Sequence, residues 1–384
     1  MNSPDAAELM ARARALVPTL IERSPRTTQD RRVPDETIAD FESAGFFRVL
    51  QPKRYGGLQM EFSVFANLVR ELAQGCGSSA WVYAVMAEHG WMFSLFPQEG
   101  QDEIWSANPN ARGCAAVDPS GKAEKVEGGY RISGQWRFVS GSDHAHWSFL
   151  TVPANDGGKT VVRQFLLKRS ELQAIDDWYV MGLIGTGSRT LKADNIFVPD
   201  RRTITQSEMM LGTAPGRDVH PDYPLIRTPR RFLTPFSLSP VLIGLANRAL
   251  AIVMEATRKK IASGAPLPDF ETLQLRIAET AADLDAANTL FDAHLTQAMA
   301  RVVAGDAIGE REIARSRMAG AHLARLVHAA TARLCMATGS GWIFDNNPLQ
   351  EIFRDITSGA THRAMNFEML GKSYVNALGV GTSQ

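Results

Sequence analysis

The stretch from Gly134 to Trp147, GQWRFVSGSDHAHW, decides how the rest of the sequence is divided. Trp136 and Phe138 alternate with polar residues, and glycines bound the segment, which is the pattern of a β-strand between turns. Ser140 and Gly141 follow, and serine and glycine are common turn residues. We therefore expect a strand that ends at a turn bearing the Ser140 hydroxyl.

The sequence on both sides of this strand is helical. In the first block Ile38 and Phe41 lie at helical spacing, between Pro34 at the start and Gly45 just past the end. In the last block apolar residues repeat over long stretches, which predicts a helical bundle. The predicted fold class is α+β, with an N-terminal helical domain, a central antiparallel β domain and a C-terminal four-helix bundle. The predicted boundaries are 1–110 for the helical domain, 111–205 for the β domain, 206–234 for a connecting segment and 235–384 for the bundle.

Composition excludes several classes of function. Lys+Arg and Asp+Glu both count 41, so the chain gives no electrostatic reason to expect nucleic acid or an anionic membrane as a partner. The 3 cysteines form no C-x-x-C pair, which argues against a zinc site or a disulfide framework. No secretory signal and no apolar run of membrane-spanning length is evident, since a span needs about 20 residues. We expect a soluble cytoplasmic protein without a membrane partner.

A nicotinamide site is not predicted. The closest match to a dinucleotide loop is Gly185 to Ser188, but this segment precedes a predicted strand and Thr190 replaces the third glycine. A turn in the β domain explains it better. Neither a P-loop nor an H-E-x-x-H motif occurs. If the protein is a redox enzyme, its electrons must therefore come from elsewhere.

Five stretches, in the same order along the chain, resemble the acyl-CoA dehydrogenase superfamily. The resemblance covers nearly the whole chain and implies the fold described above. The stretches are FFRVLQPKRYGG (Phe46–Gly57), GQWRFVSGSDHAHW (Gly134–Trp147), DDWYVMGLIGTGSRTLKADNIFVP (Asp176–Pro199), RALAIVMEATRKK (Arg248–Lys260) and GSGWIFDNNPLQEIFRDI (Gly339–Ile356).

The sequence departs from the dehydrogenases where many of them carry a glutamate base, about eight residues past an Arg-Asp pair. Here the pair is Arg354-Asp355, and no carboxylate follows before Glu368. His362 takes the place of the base. Together with His89 and Ser140, this resembles the group D two-component flavin-dependent monooxygenases, which include p-hydroxyphenylacetate hydroxylase and dibenzothiophene monooxygenase.

That resemblance implies roles for three residues. Ser140 would lie near N5 of the flavin and slow the loss of a C4a-hydroperoxide; otherwise it is a turn serine bonded to its own backbone. His362 would orient or protonate the distal peroxide oxygen, or be a structural helix residue. His89 would take or share a phenol proton, or be a core histidine bonded to a carbonyl.

Further residues are weaker candidates for binding. For the flavin they are Trp178, Arg231, Arg258 and Lys260, although the two basic residues at the helix end also suit the helix dipole. For the substrate pocket they are Trp81, Met86 and His89. Trp91, Met92 and the stretch Phe232–Leu238 are further candidates, and all of these apolar residues equally suit a core.

The same resemblance implies reduced FMN as the cofactor, with FADH2 possible, and O2 as co-substrate. It also implies an aromatic substrate, a separate NAD(P)H-flavin reductase and a homotetramer. Three alternatives stay open: an acyl-CoA dehydrogenase with a relocated base, an N-oxygenase of the same fold acting on an amino sugar, and a non-catalytic helical scaffold.

Overall fold

The structure is a computed structural model that describes residues 4–156, 158–264 and 270–380. Helices form both ends of the chain and a sheet forms the middle, as the sequence predicts. The N-terminal helices are α1 (Ala6–Gln29), α2 (Asp35–Ser43), α3 (Phe62–Ala73), α4 (Gly77–Phe93) and α5 (Gln98–Ala107).

Helix α4 is buried on all sides. Every residue of this helix except Val85 is buried. The helix packs against α3 and the C-terminal bundle as well as the first strand of the sheet, so no face is left for water. Only Glu88 in this helix carries a charge. An apolar helix of this kind belongs in the interior, where it forms a wall between domains.

Eight strands form one mixed sheet in the described chain. Five of the strand pairings are antiparallel, while β1 and β2 each pair with β4 in parallel. The strands are β1 (Gly113–Ala116), β2 (Lys122–Val126), β3 (Gly129–Val139), β4 (Trp147–Asp156), β5 (Lys159–Lys168), β6 (Gln173–Ile175), β7 (Arg189–Pro199) and β8 (Thr203–Thr205).

Strands β3 and β7 run antiparallel, so the end of β3 lies beside the start of β7, where Val139 is opposite Arg189. A register shift precedes this point, and Phe138 adopts a φ of 61° there. An irregularity of this kind redirects the side chains at the end of a strand. The pairing brings the turn after β3 next to the loop before β7.

The segment 206–234 was predicted as a plain connection, and it is more structured than that. It contains three short helices, α6 (Gln206–Leu211), α7 (Gly216–Val219) and α8 (Arg230–Leu233). Thr205 caps α6 by accepting a hydrogen bond from the backbone N–H of Glu208, and the Glu208 carboxylate accepts one from the Thr205 N–H, which explains the local helix. The last of these helices, α8, is followed directly by the first helix of the bundle.

The C-terminal block consists of three long helices and two shorter ones. They are α9 (Pro235–Ala262), α10 (Phe270–Ala304), α11 (Glu310–Ala337), α12 (Pro348–Ala360) and α13 (Phe367–Ala377). The stretch 230–262 is long and apolar enough to cross a membrane, contrary to the expectation from sequence, but 72% of its apolar window is buried in the protein. That burial is typical of a core helix, because bundle helices shield one another from water.

Candidate active site

The Ser140 hydroxyl lies where the end of β3 meets the loop before β7. Its Oγ is 2.6 Å from Ser188 Oγ, and Ser188 Oγ is 2.8 Å from Thr186 Oγ1. The Gly141 N–H donates to the Thr186 carbonyl at 3.0 Å, which closes the two segments against each other. Ser140 is half-buried, whereas Ser188 and Thr186 are buried. Ser140 therefore bonds to a neighbouring loop and stays open on one side.

Helix α4 packs directly on this turn. Gly141 has a φ of 70°, and a Cβ there would lie 2.9 Å from Met86 Cε and 3.3 Å from Val82 Cγ1. Only glycine fits such a contact and such a φ without strain. Met86, one of the predicted pocket residues, thus lies beside the Ser140 turn.

His362 follows the end of α12 by two residues and starts a short 3-10 turn. Its Nδ1 accepts a hydrogen bond from the Ala364 N–H at 3.2 Å. Its ring lies edge-on to the Trp81 indole, with the centroids 5.7 Å apart. Helix α4 therefore carries Met86 to the Ser140 turn and Trp81 to His362.

Water reaches the His362 side chain, yet protein atoms surround most of the ring. The desolvation lowers the pKa of His362 to about 4; the Asp118 carboxylate opposes this shift and the Arg230 guanidinium adds to it. At neutral pH the imidazole is therefore uncharged.

His89 lies deeper, with 2% of its surface exposed. Its Nδ1 is 2.7 Å from the Gly113 carbonyl oxygen, and its ring packs on Phe149 with centroids 5.0 Å apart. Burial lowers the pKa of His89 to about 3; the Gly113 carbonyl opposes that shift and Arg230 adds to it. This ring is also uncharged at neutral pH.

The two neutral histidines present opposite hydrogen-bonding groups. Because a carbonyl only accepts, Nδ1 of His89 carries the proton and its Nε2 is a free acceptor. Because a backbone N–H only donates, Nδ1 of His362 is bare and its Nε2 carries the proton. The site thus combines one acceptor imidazole with one donor imidazole.

A buried ion pair, missed in the sequence analysis, lies near both rings. Arg230 and Glu88 are 7% and 4% exposed, and Arg230 Nη2 is 3.1 Å from Glu88 Oε1. The positive charge of Arg230 reaches both histidines, since it lowers the pKa of each. The contact between Arg230 and Glu88 is an ion pair without hydrogen-bond geometry, since among the described residues neither Arg230 Nε nor Glu88 Oε1 has a hydrogen-bond partner. One signal in the sequence could have pointed here, namely the single carboxylate in an otherwise uncharged helix α4.

Asp355 holds the loop before β7 from the opposite side. Its Oδ1 accepts a hydrogen bond from the Leu183 N–H at 2.5 Å, and it is fully buried. Leu183 has a φ of 54°, an unusual conformation for a bulky residue. Its carbonyl accepts from Thr186 Oγ1 at 2.8 Å and from Trp178 Nε1 at 3.4 Å. The Arg-Asp stretch of α12 thus fixes the loop that carries Thr186 and Ser188.

Trp178 is half-buried and lies edge-on to Phe138, with centroids 6.0 Å apart. Phe138 is exposed over 62% of its surface. An indole and a phenyl ring therefore lie next to the Ser140 turn and remain accessible. This arrangement suits a planar aromatic ligand, which would stack on or pack against such faces.

Other predicted residues lie elsewhere. Arg231 forms an ion pair with Glu310 at 3.0 Å, on the side of α8 away from the buried Arg230. Arg258 and Lys260 are exposed at the end of α9, and Arg258 lies 3.8 Å from Glu255. No hydrogen bond or ion pair joins these three basic residues to Ser140 or His362 within the described parts of the chain.

The remaining apolar candidates are core residues. Trp91 is fully buried, and its Nε1 donates to the Leu225 carbonyl at 3.1 Å. Met92 and the apolar residues of Phe232–Leu238 belong to the same main core. In the described ranges no cluster of three His, Cys, Asp or Glu side chains could hold a metal.

Comparison with known proteins identifies the family of the chain. The acyl-CoA dehydrogenase C-terminal domain model matches residues 236–367, and the N-terminal domain model matches residues 3–107. The oxygenase subunit HsaA of a flavin-dependent monooxygenase from Mycobacterium tuberculosis is 34% identical over 364 residues, which cover 94% of this chain and 92% of that protein.

A second relative is the oxygenase component of an FADH(2)-dependent resorcinol hydroxylase from a Rhizobium species. It is 32% identical, and the match covers 92% of this chain and 90% of that protein. The crystal structure of HsaA from M. tuberculosis superimposes with a TM-score of 0.92 at 33% identity, over 99% of both chains. Similarity of this extent covers nearly the whole chain and its fold.

Proposed function

This chain belongs to the acyl-CoA dehydrogenase family and, within it, to the oxygenase subunits of flavin-dependent monooxygenases, and we propose that it hydroxylates a phenolic or heteroaromatic small molecule. One observation carries the proposal most directly. His89 and His362 are both neutral, and the ring nitrogens not bonded to backbone are an acceptor at His89 and a donor at His362. A phenolic O–H would donate to the acceptor nitrogen of His89, and an activated oxygen atom would accept from the donor nitrogen of His362.

The residues around Ser140 fit a flavin. The half-buried hydroxyl lies beside the aromatic faces of Trp178 and Phe138, which suits a planar ring with a polar edge. Bound reduced flavin would supply the electrons that activate O2. Ser140 and Trp178 are the residues we propose to hold its ring system. Arg231, Arg258 and Lys260 stay predictions, because nothing in a single chain connects them to the ring site.

His362 would donate a hydrogen bond from Nε2 to the reacting oxygen. Since the pKa of this imidazole is lowered to about 4, it is not protonated at neutral pH. A neutral donor orients an oxygen atom without releasing a free proton to it, and a stray proton would favour loss of peroxide. The Trp81 indole lies against one side of the ring and would shield that side from water.

His89 would accept the hydrogen bond of a phenolic O–H at Nε2. The Gly113 carbonyl holds the ring and fixes its tautomer. Sharing the phenol proton makes an aromatic ring more electron-rich and so more reactive toward an electrophilic oxygen. Met86, which lies beside the Ser140 turn, and Trp81, which lies against His362, would form the apolar wall of the pocket.

The partners follow from the same proposal. The Gly185–Ser188 segment is a turn before β7 and opens no helix, so it does not form a dinucleotide loop, and a separate NAD(P)H-flavin reductase would provide the reduced flavin. The relative named as FADH(2)-dependent favours FADH2, while reduced FMN remains the prediction from sequence. We also propose a cytoplasmic homotetramer without nucleic acid or membrane partners.

The proposal is tested with ¹⁸O2. The protein is mixed with a flavin reductase, NADH, FMN or FAD, and a panel of phenols and indoles, and the products are analysed by mass spectrometry. Incorporation of one ¹⁸O atom into an aromatic product is expected, only when the reductase is present. Reduction of an artificial electron acceptor by an acyl-CoA, without oxygen incorporation, would instead identify a dehydrogenase. Oxygen found on an amino nitrogen would identify an N-oxygenase.

A further inference from the structure

The geometry points to Thr186 and Ser188 as positioning residues that fix the Ser140 hydroxyl as a hydrogen-bond acceptor and thereby favour reduced over oxidised flavin. The inference rests on the proposed function, in which Ser140 faces the reactive edge of the flavin ring. It concerns two residues to which the sequence analysis gave no role. We call Ser140, Ser188 and Thr186 the hydroxyl chain.

The direction of each hydrogen bond in the hydroxyl chain follows from one fixed end. Thr186 Oγ1 lies 2.8 Å from the Leu183 carbonyl, which only accepts, so the Thr186 proton is used there. The 2.8 Å contact between Thr186 and Ser188 must then use the Ser188 proton. The 2.6 Å contact between Ser188 and Ser140 must in turn use the Ser140 proton. Ser140 Oγ therefore has only lone pairs left on its open side.

Burial protects this order. Thr186 and Ser188 are 2% and 4% exposed, so water has little access to offer other partners. The Leu183 carbonyl at the fixed end is held by a backbone hydrogen bond from the Thr186 N–H at 3.1 Å, and the Leu183 N–H is held by Asp355. Reversing the donors and acceptors along the hydroxyl chain would break at least one buried hydrogen bond, and a buried polar group without a partner is destabilising.

An acceptor at this position distinguishes the two redox states of a flavin. Reduced flavin carries a hydrogen on N5 and donates from it, whereas oxidised flavin has a bare N5 that only accepts. Ser140 in its fixed orientation pairs with the first and opposes the second. Such a preference suits an oxygenase component, which receives reduced flavin and must release the oxidised form.

The test compares dissociation constants for reduced and oxidised FMN, measured by anaerobic and aerobic fluorescence titration. In Thr186→Val the Ser188 proton is freed, and in Ser188→Ala the Ser140 proton is freed, so Ser140 becomes able to donate to oxidised flavin. We expect each variant to lower the preference for reduced flavin roughly fivefold to tenfold, the value of one hydrogen bond. Thr186→Ser keeps the hydroxyl and should restore the wild-type ratio.

Thr190→Val is the matched control. Thr190 is also buried, but its hydroxyl donates to Asp177 at 2.6 Å and lies outside the hydroxyl chain, so the ratio should not change. A ratio that stays at the wild-type value in both Thr186→Val and Ser188→Ala overturns the inference. If Thr186→Val and Ser188→Ala leave the ratio unchanged but Ser140→Ala still weakens the binding of reduced flavin, the proposed function stands although the inference about the hydroxyl chain fails. If Ser140→Ala changes neither affinity, the placement of Ser140 at the flavin fails as well.

Discussion

The imidazole of His362 lies edge-on against the indole of Trp81, with the ring centroids 5.7 Å apart. One residue comes from the buried helix α4 and the other from the turn after α12, near the end of the chain. Gly359 makes the approach possible, since a Cβ on it would lie 3.3 Å from the Trp81 ring and only 2.6 Å from Leu242. The contact joins the first and last domains at the position proposed for oxygen transfer.

Replacing Trp81 by alanine should raise the pKa of His362. Desolvation by neighbouring protein atoms is the main cause of the low pKa, about 4, and the Trp81 indole is one of these neighbours. The pKa should move toward the ordinary histidine value of about 6.5. NMR titration of ¹³C-labelled histidine rings measures it, with His362→Asn identifying the resonance. Trp81→Phe keeps an aromatic wall and should keep the pKa low; equal values in both variants would contradict this account.

Replacing His362 should separate oxygen consumption from hydroxylation. Both His362→Ala and His362→Asn lose the imidazole Nε2–H, so product formed per O2 should fall at least tenfold while hydrogen peroxide rises; positioned acid–base groups typically contribute about a hundredfold or more. An oxygen electrode with peroxide and product assays measures this. Unchanged coupling in both variants would remove His362 from the reaction.

The same two variants differ in stability. Asparagine retains an acceptor for the Ala364 N–H, whereas alanine does not. Loss of such a cap costs about 1 kcal/mol. Chemical denaturation should therefore show His362→Ala as the less stable variant, while the two remain alike in coupling. That pattern distinguishes the chemical role of the ring from its role as a cap.

Sequence patterns predicted the order of the domains and the strand that ends at Ser140, because alternation and helical spacing are local signals. They did not predict which arginine of the pair Arg230-Arg231 faces inward. Successive helical residues point about 100° apart, and nothing local says which direction is the interior. The sequence analysis named Arg231, and the structure buries Arg230.

Other features of the site could not be predicted because they depend on residues that are distant in the sequence. The tautomers of His89 and His362 depend on a carbonyl of β1 and on the turn after α12, and the spacing of the histidines says nothing about either. The alignment of Ser140 with Ser188 requires the β3–β7 pairing. Glu88 is the single carboxylate of the otherwise uncharged helix α4, but its partner Arg230 lies on α8 and no local pattern identifies that partner.

Breaking the buried ion pair should destabilise the protein strongly. Arg230→Met leaves the Glu88 carboxylate buried without its partner, which costs about 3 kcal/mol or more. Arg230→Met combined with Glu88→Gln removes both charges and should recover most of the loss. Denaturant unfolding of both single variants and the double variant gives the coupling energy; additive losses would contradict the pairing.

Arg231→Met is the control for this experiment. Its partner Glu310 is exposed and the pair lies at the surface, so its removal should cost less than about 1 kcal/mol. The charge of Arg230 allows a second measurement, the pKa values of the two histidines. Because Arg230 lowers the pKa of both His89 and His362, the double variant should titrate these rings at higher pH than the wild type.

Asp355 should make the stability of the protein depend on pH. Burial, together with the charge of Glu351, raises the pKa of Asp355 to about 7, although the Leu183 N–H and Arg354 oppose that rise. A carboxyl whose folded pKa exceeds its unfolded value favours folding fully at low pH, and this contribution is lost as the pH rises through the folded pKa. Relative to Asp355→Asn, the free energy of unfolding of the wild type should fall between about pH 4 and about pH 7, by at most about 1.4 kcal/mol per pH unit, and then level off.

Urea unfolding of the wild type and of Asp355→Asn at pH 5, 6, 7 and 8 measures this difference. Parallel curves would show that Asp355 keeps an ordinary pKa. Glu351→Gln removes one cause of the raised pKa and should shift the levelling-off to lower pH.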